Sequence, residues 1–239
     1  MPKTIVPIAH IRSEFPTKFG IPRQSGLVPE LLADIVFEPE FAVSEAVRGL
    51  SEFSHLWLIW GFSAAERGGW SPTVRPPRLG GNTRMGVFAT RSPFRPNGLG
   101  LSSVRIVSVD TANGVPTVRV AGADLMDGTP IYDIKPYLTT TDCHPEAHDG
   151  FVADNGSYGV TVVLPDELAP EMPASEREAL RGVLAQDPRP AFHNDPARVY
   201  GFPFGDYEVR FRVEGDVLTV VAVEGKRYKV KSLVMLPKQ

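Results

Sequence analysis

The sequence predicts a mainly β protein: an N-terminal β-barrel over residues 1–138, a loop or linker at 139–156, and a smaller C-terminal α+β domain at 157–239. Three observations predict it. Short apolar runs of strand character recur through the first half of the chain and never alternate with long helical stretches, as a doubly wound fold would require. Glycine and proline, 22 and 23 of the 239 residues, give a composition rich in turns. Near Thr139 the chain turns polar, with Asp142, His144, His148, Asp149, Asp154 and Asn155 in one stretch.

In chain order, residues 4–11, 31–37, 55–62, 86–90, 102–109, 117–121 and 129–134 read as strands. A closed or nearly closed barrel from Ile5 to about Leu138 accounts for them. Residues 44–50 read as a helix with Ala46, Val47 and Leu50 on one side, ending near Gly49. A stronger helix is expected at 175–186: Ser175 and Glu178 have capping-box spacing, Leu180, Val183 and Leu184 form an apolar stripe, and Pro188 ends it. Tyr207, Val209, Phe211 and Val213 then alternate with charged residues, turn at 214–216 and return at 217–223 as a hairpin. A third strand is expected over 227–236.

Composition narrows the function. Hydrophobic residues at 42% suffice for a packed core, and no window of about 18 apolar residues appears. The first residues have no signal-peptide core, since Lys3, His10, Arg12 and Glu14 break up the apolar positions, so a soluble cytoplasmic protein is expected. Cys143 is the one cysteine, which excludes an intrachain disulfide. The net charge of −3 argues, taken alone, against a nucleic-acid partner. That average hides an asymmetry. Arg67, Arg75, Arg78, Arg84, Arg91, Arg95 and Arg105 fall in one window that holds no Asp, Glu or Lys. Solvated surface charge usually mixes both signs and uses lysine, whereas arginine alone favours planar, two-pronged recognition of carboxylates, phosphates or bases.

Familiar motifs are mostly missing. Gly98-Leu-Gly100 lacks the third glycine and the βαβ setting of a dinucleotide loop. There is no P-loop and no Gly-x-Ser-x-Gly elbow. Asp142, Cys143, His144 and His148 match no zinc spacing and read as a solvated loop, so no metal is expected. His55 sits in an apolar run and reads as a core histidine. Three segments resist a purely structural reading. Arg75-Pro-Pro-Arg78 holds two arginines on a stiff extended element. The stretch from Met85 to Asn97 ends in a turn presenting Arg91, Ser92, Arg95 and Asn97. The stretch from Asp124 to Tyr137 packs Asp124, Asp127 and Asp133 close to Lys135 and two tyrosines. Turn-capping explains their glycines, prolines and asparagine, but not the density of charge.

On these segments the chain resembles the TrmO family, also called TsaA-like or VirR-like. The resemblance is carried by Pro22-Arg23-Gln24, Ser54-His-Leu-Trp57, Arg75-Pro-Pro-Arg78, Gly86-Val-Phe-Ala-Thr-Arg-Ser-Pro-Phe-Arg-Pro-Asn97, Asp127-Gly-Thr-Pro130, Asp133-Ile-Lys-Pro-Tyr137 and Asp187-Pro-Arg-Pro190. It implies a non-Rossmann, β-barrel methyltransferase that uses S-adenosylmethionine, acts as a homodimer and modifies the anticodon loop of tRNA. The implied substrate is N6-threonylcarbamoyladenosine at position 37, methylated on N6. By matching positions, cofactor contacts fall on Pro22, Arg23, Gln24, Ser63, Ala64, Arg91 and Leu101, and on Asp124, Leu125, Met126 and Asp127. Substrate contacts are expected at Arg75, Arg78, Arg95, Asn97, Lys135, Tyr137, Asp187 and Arg189, and Asp127 and Asp133 are the candidates to take the proton of the target nitrogen. Two departures stand out: Gly98 where the family usually has proline, and Glu14-Phe15 where Pro-Tyr is more usual. The rival readings are a non-catalytic RNA- or small-ligand-binding barrel, which would show no heat with S-adenosylmethionine, and a metal-dependent hydrolase, which chelator would stop.

Overall fold

The computed structural model describes residues 4–63, 69–76, 83–155, 159–189 and 195–225. Six antiparallel strands close a barrel: β1 (Ala9–Arg12), β2 (Leu32–Phe37), β3 (His55–Gly61), β6 (Leu99–Asp110), β7 (Thr117–Ala121) and β8 (Pro130–Pro136), in the order β1-β2-β7-β6-β3-β8. Side chains alternate across each strand. On β3, Leu56, Leu58 and Trp60 are buried, while His55, Trp57 and Ile59 are only partly covered. Ile11, Ile35, Val104, Val118, Val120 and Ile131 join them in one core. A ribbon of β4 (Thr73–Val74) and β5 (Met85–Gly86) stands apart from the barrel sheet.

A second sheet, β10-β11-β12-β9, is built from β9 (Thr161–Val163), β10 (Tyr200–Phe204), β11 (Tyr207–Glu214) and β12 (Val217–Gly225), with β9 parallel to β12. The helix α2 (Ala174–Ala185) adds Leu180, Val183 and Leu184 to its core. Phe15, Val28 and Leu31, from the long β1–β2 connection, belong to this second core rather than to the barrel's. Gly20 and Gly182 allow the approach: a Cβ would lie 2.6 Å from Phe202 at the first and 2.6 Å from Val28 at the second.

Several expectations change. The strand expected at 86–90 ends at Gly86, and Val87–Ala89 forms a 3-10 turn that redirects the chain. The helix expected at 44–50 is instead two 3-10 turns, Ser44–Val47 and Leu50–Glu52, parted where Gly49 takes φ 82°. Left-handed backbone there prevents a continuous helix. The capping box at Ser175 is not used, because α2 begins at Ala174 with Pro173 as its N-cap. Within 139–156 lie a short helix α1 (Thr139–Asp142) and a 3-10 turn, Gly150–Asn155. Trp57 Nε1 donates to Asp142 at 2.9 Å and ties α1 to β3. The strand expected at 227–236 lies outside the described residues. No helix among the described residues is long and apolar enough to cross a membrane.

Candidate active site

A cavity of about 880 Å³ opens where five parts of the chain converge: the β1–β2 connection, the end of β3, the turn after β5, the start of β6 and the β7–β8 connection. Trp60 and Gly100, paired across β3 and β6, form its inner wall. A Cβ at residue 100 would lie 2.4 Å from the indole, so only glycine lets Trp60 rest there. Trp60 Nε1 donates to the buried Ser102 Oγ at 3.0 Å, and Ser102 donates to Asp124 Oδ1 at 2.6 Å. Burial pushes the Asp124 carboxyl above its ordinary value, while the Ser102 hydroxyl, the neighbouring backbone and the Arg91 charge pull the other way.

The turn after β5 is held by its own side chains. Thr90 Oγ1 donates to Val87 O at 2.9 Å, and Arg95 Nη1 donates to Thr90 O at 3.1 Å. Gly98 closes the loop, its N–H donating to Arg95 O at 3.2 Å with φ 56°. Proline has neither the N–H nor access to that φ, so this turn is shaped differently from one with proline at 98. The turn sends Arg91 to Gln24, whose Oε1 accepts from Arg91 Nη1.

The cavity lining holds Pro22, Arg23, Gln24, Ser63, Arg91, Leu101, Asp124, Leu125 and Met126, together with Arg95 from the expected substrate set. Ala64 and Arg78 lie outside the described residues. Asp127 lies elsewhere: it lines a second cavity and accepts from the Ser13 N–H at 3.0 Å, fastening the β7–β8 turn to the end of β1. Asp133 and Lys135 pair at 3.0 Å on β8, with Asp133 opposite the cavity-lining Ile59 of β3. Tyr137 packs on Trp57, ring centroids 5.5 Å apart. Arg75 and Asn97 are exposed and outside the lining. Asp187 is buried at φ 47° with both oxygens bonded to Arg189 Nε, at 3.0 and 2.9 Å. That pair shapes the turn after α2, which leaves the Asp187 carboxylate unavailable to an RNA. Lys18, Trp60, Phe62, Ser102 and Thr129 were missed. A serine at an inward position of an apolar strand is the signal that would have found Ser102.

The electrostatics are lopsided. Lys18, Arg23, Arg91 and Arg95 share the lining with one carboxylate among the described residues, Asp124. Among the described residues, Arg75, Arg84, Arg91, Arg95 and Arg105 form no ion pair with a carboxylate. Among the described residues no cluster of three or more His, Cys, Asp or Glu has the arrangement of a metal site. The donor set suits S-adenosylmethionine. Ile21, Pro22, Leu125 and Met126 offer an apolar wall for a purine, guanidinium groups suit a carboxylate, and Asp124 suits a cation or ribose hydroxyls.

Comparison with known proteins agrees. The family model for the tRNA-methyltransferase O N-terminal domain matches residues 10–143, and that for the TrmO C-terminal domain matches residues 160–226. The chain is 40% identical over 225 residues to a tRNA (adenine(37)-N6)-methyltransferase of Escherichia coli (strain K12), covering 91% of this chain and 96% of that protein. It is 48% identical to a protein of the same name from Eikenella corrodens, over 72% of this chain and 99% of the relative. The crystal structure of TrmO from Pseudomonas aeruginosa superposes with a TM-score of 0.76 at 35% identity, covering 94% of this chain and 98% of that one. Barrel, cavity and motif thus converge with two family models that together span most of the sequence: the chain belongs to the tRNA-methyltransferase O family.

Proposed function

We propose that this protein methylates N6 of adenosine 37 in tRNA, with S-adenosylmethionine as donor, and that the adenosine it accepts carries the threonylcarbamoyl group. The observation that carries the reading is the barrel-end cavity, lined among the described residues by four cationic side chains and the carboxylate of Asp124, in a chain of this family. The cofactor supplies an activated methyl group on a sulfonium. Arg91, fixed by Gln24, presents a guanidinium to a carboxylate, and Asp124 presents its negative charge to cationic groups. Ile21, Pro22, Leu125 and Met126 exclude water from one wall. With the donor already activated, positioning and desolvation supply most of the rate. The proton of the target nitrogen goes to Asp133 Oδ1 or Oδ2. This side chain stands opposite the cavity-lining Ile59 and pairs with Lys135 at 3.0 Å. Facing residues on paired strands have Cβ atoms roughly 5 Å apart, so the pairing with a cavity-lining residue supports this reading of Asp133.

The barrel, about 1–138, carries cofactor and chemistry, and the unit from about 157 braces it. We infer a homodimer that works in the cytoplasm. The exposed Trp70, Phe88, Phe94 and Leu101 supply apolar surface for a contact near the cavity. Light scattering tests the assembly.

The activity test is mass spectrometry of nucleosides from modified tRNA incubated with protein and cofactor, with methylated N6 at position 37 expected and an unchanged nucleoside refuting it. Two variants separate the carboxylates. D133N should slow single-turnover methylation about 100-fold, within the usual range for a lost acid–base group, and leave cofactor affinity within about twofold. D127N should instead lower Tm, since Asp127 joins the β7–β8 turn to Ser13. Reversed effects would reassign the base.

A further inference from the structure

We propose that Ser102 is a positioning residue for the cofactor site: oriented by the Trp60 indole, its hydroxyl aims the carboxylate of Asp124 into the cavity. The proposal rests on the cofactor reading above.

The inward face of β6 is where Ser102 lies, 1% exposed, paired with the buried Leu58 of β3 and two residues before the buried Val104. An unbonded hydroxyl in such surroundings is strongly disfavoured, so a serine persists there only if its bonds are made. Both partners are present and their order is forced. An indole N–H can only donate, so Ser102 Oγ accepts from Trp60 at 3.0 Å. The single hydroxyl proton is then left for Asp124 Oδ1, 2.6 Å away. That separation is the length of a bond from a hydroxyl to an ionised carboxylate. The chain therefore runs one way, from indole to hydroxyl to carboxylate, and it favours Asp124 as acceptor. Gly100 belongs to the same device, since any side chain there would displace the Trp60 ring.

The need for such a device follows from the cavity's charge. Lys18 and Arg23 of the β1–β2 connection and Arg91 and Arg95 of the turn after β5 line the cavity with basic side chains. A ligand carrying a sulfonium and an ammonium meets one wall group of opposite sign among the described residues, Asp124. Burial favours the protonated form of that carboxyl, and the Ser102 hydroxyl opposes it. Loss of the hydroxyl leaves Asp124 both misdirected and easier to protonate.

The test is calorimetry of S-adenosylmethionine binding to the full chain between pH 5 and 8, for wild type, S102A and S102T. S102A should bind about tenfold more weakly at neutral pH, the loss expected for one bond to a charged group. Its fall in affinity on acidification should begin at higher pH than in wild type, because the Ser102 hydroxyl no longer opposes protonation of Asp124. S102T, which keeps a hydroxyl, should restore both. A second readout needs no cofactor: tryptophan emission of the free protein should show a pH-dependent step that is lost in S102A and in W60F. Wild-type affinity and pH profile in S102A would overturn the proposal. So would a uniform loss at every pH, which marks a mere packing role. If S102A fails to fold, W60F carries the test, with a shift of the acid limb in the same direction. Absence of binding by wild type would refute the cofactor reading, and the emission titration would still decide whether the relay exists.

Discussion

Arg91 and Arg212 show how two arginines of the same chain differ by their surroundings. Arg91 bonds Gln24 at the cavity edge and contributes the positive charge that steadies Asp124. Arg212 lies on the exposed face of β11. R91A should weaken cofactor binding roughly tenfold to hundredfold, since bonds to charged partners are worth about 1.5–3 kcal/mol. R212A should change it less than about twofold, as surface charges typically do. Equal, small effects in a side-by-side titration would remove Arg91 from the site. The same contrast explains which residues sequence could assign. Arg91 and Arg95 are legible because charged residues crowd a turn that structure alone does not require, and Asp124 because three carboxylates crowd the segment from Asp124 to Tyr137. Asp127 stays double in the sequence, because Asp-Gly-Thr-Pro reads equally as a catalytic carboxylate and as a turn cap, and the bond from the Ser13 N–H adds weight to the cap. Asp187 and Arg189, two residues apart, are expected from the sequence as substrate contacts, and left-handed backbone at Asp187 folds them into a buried pair.

At the scale of elements, the point of greatest tension is where Glu14, beyond β1, meets the first turn of α2 and the β10–β11 turn. The Gly205 N–H donates to Glu14 O at 2.8 Å, holding the segments together. Burial, then the charges of Glu176, Asp206 and Asp127, raise the Glu14 carboxyl above its ordinary value of 4.5. Between that value and the raised one, the folded chain holds more protons than the unfolded chain, so stability falls as pH rises. Above the window the penalty is fully present, and below 4.5 it is gone. E14Q should therefore raise Tm at pH 7 by about 2–4 °C, on the order of 1 kcal/mol after solvent screening. The gain should shrink to nothing when melting is repeated near pH 4. An equal gain at both values would refute the repulsion. The barrel strands are legible because one face is buried and the period of two survives, as in Leu56, Leu58 and Trp60 of β3. β10 was not: Gly201 and Pro203 interrupt its pattern, and they are tolerated because β10 is the edge of its sheet. The turn after β5 was read as a strand because Val87, Phe88 and Ala89 are apolar, although Phe88 is 74% exposed.

Across the whole molecule, the β1–β2 connection joins the two cores to the cavity. Phe15, Val28 and Leu31 anchor it in the C-terminal core, and its middle, Lys18 to Gln24, forms one cavity wall. The C-terminal unit thereby fixes the backbone carrying Arg23 and Gln24, while the barrel fixes Asp124 and Ser102. Beyond that wall stand the arginines of the acid-free window. Arg75, Arg84, Arg91 and Arg95 have no carboxylate partner among the described residues. Donors left this way are suited to a substrate that brings its own anions. Phosphates are common to every tRNA and position it without discriminating. The carboxylate of a threonylcarbamoyl group is present only on the modified adenosine. A site arranged for that carboxylate rejects a substrate lacking it, because its donors are then left unsatisfied. Single-turnover methylation of one tRNA, with and without the threonylcarbamoyl group at fixed salt, should show a preference of at least about 100-fold for the modified form. R95A, whose side chain lines the cavity, should narrow that gap. R75A, exposed beyond it, should weaken both substrates alike and flatten the salt dependence. Comparable wild-type rates on the two tRNAs would rule out a carboxylate clamp and leave the arginine window to the phosphate backbone alone.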